Sequence, residues 1–343
     1  MRDILYLDIQ ESSAVGGIRR HACTLARSLG FSEIQIGQVA IVVTELGSNL
    51  LKHAGGGEIL ARSLECHGIR GIEIVAVDSG PGMEDIAHCR KDGVSTVHTA
   101  GTGLGAVERL AHMMDIVSWP GRGTAVMARL WQQEVPSCPK RPFLVGAVCL
   151  PMHPDEPCGD AWAVEQEGGR AAVLVVDGLG HGLDAAQAAH AALDVFAEHW
   201  RRSPAEVMAR LHGGLRVTRG AAALVVELNR GSGQARACGV GNIFGRIIGA
   251  TGERTIVSWP GIVGFQAPRL REEVLPMGPD DVVVLASDGI RTHMDLDAYP
   301  GIWQHHPSLA AAILFRDFSR RRDDTTVVVL QPEKLCGEAA WNQ

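Results

Sequence analysis

A proline-rich break constrains the fold of this chain more than any other feature. Residues 132–142, QQEVPSCPKRP, hold three prolines and no apolar periodicity, which is typical of a linker. The strand-like run TAVMARLW ends just before it, and FLVGAVCL begins just after it. Because the chain has 343 residues, each side is long enough to bury its own core. The sequence predicts domains at 1–131 and 143–331, and a tail at 332–343.

The composition and charge exclude several classes of protein. Apolar residues make up 46% of the chain and charged residues 21%, as in ordinary globular proteins. The net charge of −7 disfavours binding to the phosphate backbone of nucleic acids. No run approaches 18 uninterrupted apolar residues, the start lacks a signal peptide, and the eight cysteines form no CxxC pair. We therefore expect a cytoplasmic protein with no nucleic-acid or membrane partner.

The two segments differ in the order of their predicted elements. In the first, helices near 15–29, 33–53 and 103–114 accompany strands that are mostly neighbours in sequence, so an antiparallel sheet is expected. In the second, many short apolar runs and few helices favour packed sheets over a doubly wound parallel sheet. The predicted fold class is α+β with two domains.

Two polar stretches of the first segment are candidates for nucleotide contacts. In IVVTELGSNLLKHAG, Glu45 and Asn49 share one helix face; they could hold magnesium, or they could be a solvated polar pair. In IEIVAVDSGPGMEDI a strand delivers Asp78, and Gly80 and Gly82 follow it. That carboxylate could accept from an adenine amino group, and the motif is equally a good turn.

A glycine-rich stretch and a hairpin turn follow in the same segment. TAGTGLGAVERL places Gly101, Gly103 and Gly105 where a helix begins, and the free N–H groups of a helix amino terminus favour an anion such as a triphosphate. In PGRGTAVMARL, Thr124 follows a turn and is expected to point inward. Each stretch alone is weak support, so the order of the four motifs carries the interpretation.

That order resembles the GHKL fold, the ATP-binding fold shared by histidine kinases, Hsp90 and anti-sigma-factor kinases. The stretches ELGSNLLKHAGGGEI and DGVSTVHTAGTGLGAVERL look most like RsbT-type serine/threonine switch kinases, and less like the related RsbW-type anti-sigma factors. The resemblance implies helices on one face of a mixed, mostly antiparallel sheet. It also implies that this domain uses ATP with Mg²⁺.

The resemblance assigns roles to residues of the first segment. Glu45 would accept the proton of the substrate hydroxyl, and Asn49 would bind Mg²⁺. Asp78 would contact adenine with help from Thr124. The ATP-binding residues it implies are Asn49, Asp78, Gly80, Gly82, Gly101, Thr102, Gly103, Leu104, Gly105 and Thr124.

The second segment carries acids at the ends of its predicted strands. VVDGLGHG, with Asp177, departs from the G-x-G-x-x-G dinucleotide fingerprint because the acid precedes the glycines. The other acids at strand ends are Asp160, Asp288, Asp323 and Asp324. A single Asp-Gly pair is usually a turn, but acids at several strand ends favour a site for hard cations.

The ordered set GD, VVDGLGHG, GVGN, ASDG and DDTTVVVL resembles the PP2C-type metal-dependent phosphatases, in their SpoIIE/RsbX branch, over residues 143–331. The resemblance implies an αββα sandwich with two Mn²⁺ or Mg²⁺ ions and direct attack of water on phosphorus. Asp177 would bridge both ions and serve catalysis. The implied metal ligands are Asp160, Asp177, the Gly178 carbonyl, Asp288, and Asp323 or Asp324, with spacing favouring Asp323.

Other residues of the second segment are less informative. His181 is a candidate general acid, although a histidine in such a loop is more often exposed and not catalytic. Gly241 and Asn242 are expected to form a tight turn near the acids. FLVGAVCLPMHPDEPCGD lacks the arginine that grips phosphate in eukaryotic members, so the residue that holds phosphate is open.

Together, the two segments predict a bifunctional signalling switch. The first domain would phosphorylate Ser or Thr on a STAS-domain partner, and the second would remove that phosphate. In one alternative, the first domain sequesters a sigma factor or another downstream regulator and uses ATP only to set its shape. In another, a degenerate kinase domain regulates a single-activity phosphatase. The partner, the phosphosite and the oligomeric state are open.

Overall fold

The fold is described here from a computed structural model, which covers residues 4–86, 103–134, 141–250, 252–266 and 270–333. The chain forms two compact units, and each combines strands with helices. The N-terminal unit contains Arg2–Cys138 together with Asp295–Asp317, and the C-terminal unit contains Pro139–Met294 and Phe318–Gln343. The α+β, two-domain prediction is confirmed, whereas the exact domain limits stay a prediction.

A five-stranded antiparallel sheet, in the order β1-β2-β3-β5-β4, forms the N-terminal unit with its helices. Its elements are β1 (Ile4–Ile9), α1 (Ser12–Ser28), α2 (Glu33–Asn49), β2 (Gly57–Cys66), β3 (Ile69–Val77), α3 (Gly103–Leu110), β4 (Met113–Trp119) and β5 (Gly123–Trp131). Alternate β3 residues such as Ile72 and Ile74 join Val39 and Val43 of α2 in one buried core. Helices α1, α2 and α3 therefore cover one face of the sheet, as expected.

Helix α2 carries two of the predicted site residues, and its two ends are well defined. A capping box formed by Ser32 and Gln35 starts the helix. After Asn49 the chain continues as a π-helical turn, Leu50–Ala54, which ends at Gly55 with a φ of 75°. The combined helix, Glu33–Ala54, is long and apolar enough to cross a membrane by length and composition alone, but its apolar face lies in the core of the unit.

The C-terminal unit is a sandwich of two sheets. Its elements are β6 (Phe143–Leu150), β7 (Asp160–Glu167), β8 (Arg170–Gly178), α4 (Leu183–His199), α5 (Pro204–Gly214), β9 (Ala221–Asn229), β10 (Gln234–Val240), β11 (Phe244–Gly249), β12 (Gly252–Ile256), β13 (Ser258–Trp259), β14 (Glu273–Pro276), β15 (Val282–Ala286) and β16 (Thr325–Pro332). One sheet runs β13-β10-β9-β8-β7 with β14 beside β10, and the other runs β12-β11-β15-β16-β6.

The two sheets of the C-terminal unit share a buried core. Val175 on β8 and Leu224 on β9 belong to the same apolar cluster as Leu285 on β15 and Val328 on β16, so the sheets pack face to face. On the outer face of the first sheet, α4 and α5 supply residues such as Phe196 to a second cluster. The predicted acids lie at or next to the ends of β7, β8, β15 and β16, and this arrangement brings those strand ends close together.

One segment of the second half of the chain packs with the unit formed by the first half. Asp295–Asp317, which we call the inserted segment, lies between Asp288 and Asp323 in the chain but packs within the N-terminal unit. It holds most of the last helix, α6 (Pro307–Phe318), whose residues from Pro307 to Phe315 are buried. A segment assigned to the second half by sequence thus completes the compact unit built by the first half.

Candidate active sites

The end of α2 and the start of α3 bring together three predicted residues of the N-terminal unit. A Cβ placed on Gly103 would lie 3.3 Å from Glu45 Oε2 and 3.2 Å from Asn49 Oδ1. Glu45 and Asn49 are both half-buried on one face of α2, as their spacing predicted. Gly101 and Thr102 lie outside the described residues, so their predicted contacts with phosphate stay a prediction. The arrangement places a carboxylate and an amide at a helix amino terminus.

Asp78, which directly follows β3, is held by backbone groups. Its Oδ1 atom accepts hydrogen bonds from the backbone N–H of Gly80 at 2.8 Å and of Thr124 at 3.2 Å. Burial raises the pKa of this carboxyl, while those two N–H groups oppose the shift. Among the residues that the structure describes, Oδ2 has no hydrogen-bond partner. That oxygen is suited to accept from an amino group of a ligand.

Other predicted nucleotide residues surround Asp78 or support α3. Gly80 packs on the π-helical turn, because an added Cβ would lie 2.6 Å from the Cβ of Ala54. Gly82 has a φ of 72°. Thr124 is buried, and its Oγ1 lies 2.8 Å from the Oγ of Ser118, a residue that sequence analysis missed. Leu104 packs against the core beside the buried Gly105, so it faces apolar residues.

In the C-terminal unit, Asp160 and Asp177 lie directly opposite each other. They begin β7 and nearly end β8, and the antiparallel register pairs them. Asp160 is buried and accepts a hydrogen bond from Ser287 Oγ at 2.7 Å. Ser287 Oγ in turn accepts from the backbone N–H of Thr326 at 2.9 Å. Asp160 and Asp177, which are separated in sequence, are therefore neighbours in the sheet.

The turn after β8 requires glycine at Gly178. Its N–H donates to the carbonyl of Gly159 at 2.9 Å, and an added Cβ would overlap the backbone of Ala185 at the start of α4. The carbonyl of Gly178 lies 3.7 Å from the position of a Cβ on Gly159, next to Asp160. The predicted carbonyl ligand is therefore close to the predicted carboxylate ligands.

The remaining acids come from the other sheet of the sandwich. Asp288 follows β15, and its Oδ2 accepts from the side-chain amide of Asn242 at 2.6 Å. Asp324 is buried, and its carboxylate accepts from the backbone N–H groups of Met152 and Gly159. Asp323 is exposed. The two adjacent acids thus differ: Asp324 ties together the loop before β7, while Asp323 is exposed and its Oδ1 accepts from the backbone N–H of Asp324 at 2.9 Å.

The electrostatics of this cluster are unusual. Burial, reinforced by Asp160, Asp288, Asp323 and Asp324, raises the pKa of Asp177 to about 9. Burial also raises the pKa of Asp160 to about 7, although the hydrogen bond from Ser287 opposes it. Within the described ranges, no three His, Cys, Asp or Glu side chains form a metal-ligand group. The acids are neighbours that destabilise one another's charge, and their hard oxygens fit divalent cations.

Residues outside the predicted ligand set also shape this site. Ser287 was missed, because a serine before Asp-Gly carries no signal of its own in the sequence. Asn242, predicted as part of a turn, binds Asp288 directly. His181 is exposed, with Nδ1 3.2 Å from Glu156 Oε2. His181, in the loop that follows Gly178, therefore lies beside the acidic side chain of Glu156.

Known proteins are similar to each of the two units. Residues 10–130 match the family of histidine kinase-like ATPase domains, and residues 167–333 match stage II sporulation protein E (SpoIIE). Over 107 residues, 31% of this chain, the sequence is 35% identical to the serine/threonine-protein kinase RsbT of Bacillus subtilis (strain 168), of which 80% is covered.

Two solved structures are also similar. A chain from "The bacterial stressosome: a modular system that has been adapted to control secondary messenger signaling" is 29% identical, with a TM-score of 0.52, covering 55% of this chain and 99% of that one. RsbX in complex with magnesium is 19% identical, with a TM-score of 0.51, covering 56% of this chain and 96% of that one. The second likeness shows the fold alone. The two family matches, an ATPase-type domain at residues 10–130 and a SpoIIE domain at residues 167–333, fit the expected fusion of two domains.

Proposed function

Since the chain belongs, through its N-terminal part, to the family of the serine/threonine-protein kinase RsbT, we propose that it is a bifunctional switch in bacterial signalling. Its N-terminal unit phosphorylates Ser or Thr on a STAS-domain partner, and its C-terminal unit removes that phosphate. The observation that carries the proposal is the grouping of Glu45, Asn49 and Gly103, together with the paired acids Asp160 and Asp177 in the same chain.

The kinase reaction needs positioning and charge stabilisation more than covalent chemistry. In our proposal Asn49 holds Mg²⁺ with ATP, and the Asp78 carboxylate accepts from the adenine amino group. The carboxylate of Glu45 accepts the proton of the attacking hydroxyl. The position of Gly103 supports these roles for Glu45 and Asn49. It lies so close to both α2 side chains that a phosphate bound at the start of α3 would contact them.

The phosphatase reaction uses the acids of the C-terminal unit. In our proposal Asp160, Asp177, Asp288, Asp323 and the Gly178 carbonyl hold two Mn²⁺ or Mg²⁺ ions. Such ions would supply water activation and neutralise charge on the phosphoryl group. Ser287 and Asn242 orient Asp160 and Asp288 by hydrogen bonds, and Asp324 fixes the loop before β7.

The partner follows from the relatives and not from any contact in this structure. The similarity to RsbT and to a chain of a stressosome structure supports a partner-switching role. We propose a STAS-domain protein as substrate of both activities, and the cytoplasm as their compartment. A sigma factor bound by the N-terminal unit, with ATP setting only its shape, is the competing outcome.

The test uses the full chain and a purified STAS-domain protein. With γ-labelled ATP and Mg²⁺, Glu45→Ala is expected to abolish transfer of label to the partner. Asp288→Asn is expected to transfer label normally and to leave the partner phosphorylated after Mn²⁺ is added. The matched control is Glu33→Ala, which removes an exposed carboxylate of the same helix and should behave as wild type.

Each half of the proposal can fail separately. Transfer that persists in Glu45→Ala contradicts the kinase assignment. Stable ATP-dependent binding of the partner without transfer in the wild type supports sequestration in its place. Removal of label that persists in Asp288→Asn contradicts the phosphatase assignment.

A further inference from the structure

The inserted segment, Asp295–Asp317, belongs by sequence to the SpoIIE part of the chain, since the SpoIIE match runs through residues 167–333. In the structure it packs within the unit that carries Asp78. A segment that lies in the chain between Asp288 and Asp323, two predicted metal ligands, is therefore part of the unit that carries the predicted nucleotide site. Its contacts with that unit reach Asp78.

One end of the inserted segment is fixed by a buried charge network. Glu73 lies on β3 between Ile72 and Ile74, so its side chain points to the sheet face opposite the helices α1 and α2. Its carboxylate accepts from Arg62 Nε at 2.6 Å, from Arg129 Nε at 2.7 Å and from Ser308 Oγ at 2.9 Å. Ser308 belongs to α6, so this network attaches the inserted segment to the centre of the sheet.

A second set of contacts fixes the segment near the β4–β5 turn. The indole N–H of Trp119 donates to the carbonyl of Pro300 at 3.1 Å, and its ring meets Tyr299 edge to face, with centroids 5.0 Å apart. His305 Nδ1 lies 2.9 Å from Asp115 Oδ1. The segment is thus attached at several points around the strand that precedes Thr124.

Arg316 connects the segment to Asp78 itself. Its side chain is 6% exposed, and its Nη1 atom donates to the backbone carbonyl of Asp78. Its Nε and Nη2 atoms donate to the two carboxylate oxygens of Asp317, each at 2.8 Å, which fixes the plane of the guanidinium group. The same Asp78 carbonyl packs against Gly123, where an added Cβ would overlap it.

Asp78 is therefore held from both sides of its backbone. Its N–H donates to the carbonyl of Thr124 at 2.9 Å, and its own carbonyl accepts from Arg316. Because the peptide groups on both sides of Asp78 are fixed, its side chain can move only by rotation about its own χ angles. The N–H groups of Gly80 and Thr124 fix Oδ1 of the carboxylate that we assign to adenine, and Arg316, a residue of the second half of the chain, fixes the backbone from which that carboxylate projects.

We propose that Arg316 is a positioning residue of the nucleotide site, and that through it the inserted segment strengthens the selectivity of this site for adenine. The proposal rests on the proposed function, because it needs nucleotide at Asp78. Adenine presents an amino donor where guanine presents a carbonyl acceptor, so a well-aimed carboxylate accepts from one and repels the other. Loss of Arg316 loosens the aim of the carboxylate and lowers this discrimination.

The experiment measures binding of AMPPNP and GMPPNP, with Mg²⁺, to the full chain by calorimetry. Arg316→Gln is expected to weaken AMPPNP binding about tenfold and GMPPNP binding less than about twofold, since one charge-assisted hydrogen bond is lost. Arg316→Lys keeps a cation that can still donate, and should recover part of the selectivity. The matched control is Arg122→Gln, which removes an exposed arginine lying over the ring of Tyr299, 5.8 Å from its centroid, and should keep the wild-type ratio.

A second variant distinguishes a loss of orientation of Arg316 from misfolding of the protein. Asp317→Asn leaves the charge of Arg316 but removes the carboxylate that orients it, and should lower the ratio of the two affinities by a smaller factor. An equal loss of both affinities with a lower melting temperature, or an unchanged ratio in Arg316→Gln and Asp317→Asn, overturns the inference alone. A wild-type protein that binds neither analogue overturns the proposed kinase function together with it.

Discussion

Two buried carboxylates, one in each unit, lie in opposite electrostatic surroundings. Glu73 is 2% exposed and Asp160 is 1% exposed, so both are removed from water. Although burial alone would raise it, Arg62 and Arg129 hold the pKa of Glu73 well below its usual range. Asp160 instead lies among acids, and burial raises its pKa to about 7. The same chemical group is neutralised by protein cations in one unit and left among like charges in the other.

In our proposal this difference separates a structural carboxylate, Glu73, from a metal-binding one, Asp160. A buried charge is stable only when it is paired or when it binds an ion, because desolvation costs more than weak interactions return. Glu73 finds its partners within the N-terminal unit and joins β2, β3, β5 and α6. Among the residues that the structure describes, no arginine or lysine forms an ion pair with Asp160 or Asp177, and the balancing charge in our proposal is a divalent ion. Changing the two carboxylates should therefore affect different properties.

The largest expected effect is on catalysis. Asp177→Asn should lower hydrolysis of para-nitrophenyl phosphate in Mn²⁺ by about 10³-fold or more, because metal ions contribute several kcal/mol to such reactions. Its melting temperature in EDTA should not fall, since the substitution removes one of several like charges. Asp194→Asn, an exposed acid on α4, is the control and should hydrolyse at the wild-type rate. A large loss of stability without a loss of activity would contradict this role for Asp177.

The next effect is on stability. Glu73→Gln should lower the free energy of unfolding by about 3 kcal/mol, because it removes the buried carboxylate charge that pairs with Arg62 and Arg129. Denaturant unfolding of the full chain measures this. Glu167→Gln breaks an exposed ion pair with Arg201 and should leave the free energy of unfolding close to that of the wild type. Equal losses in the two variants would mean that the buried network does not anchor the inserted segment.

The smallest effect is a pH dependence in the N-terminal unit. Burial, with Arg129 and Arg62 adding, holds the pKa of His306 well below its usual value, and Glu73 opposes this shift. The unfolded chain takes up this proton near pH 6.5 and the folded chain does so only at lower pH, so stability falls as the pH drops below about 6.5. His306→Gln should flatten that fall by up to about 1.4 kcal/mol per pH unit.

A matched histidine provides the control for that pH dependence. His181→Gln removes an exposed histidine of the C-terminal unit and should leave the slope of unfolding free energy against pH unchanged. Melting curves between pH 7 and pH 5 give the comparison. If His306→Gln and the wild type lose stability in parallel, the burial of His306 as a neutral ring is wrong.

Much of both sites could be predicted from local sequence. Glu45 and Asn49 share a helix face because of helical spacing, and acids at strand ends converge because neighbouring strands end at one edge of a sheet. The roles of Ser287 and Asn242 could not be predicted in this way. Each depends on a partner that a different strand or loop brings within hydrogen-bond distance, and neither belongs to a periodic pattern.

The sequence by itself determined that this chain has two α+β halves with an acidic, glycine-rich site in each, because periodicity and turn residues act over a few neighbouring positions. Only the tertiary structure decided which of the adjacent acids is buried: Asp324 bonds to backbone N–H groups, whereas Asp323 is exposed. It also decided that Arg316 lies at Asp78. That contact joins residues far apart in the chain, and burial and pairing of charge select it, which no local pattern encodes.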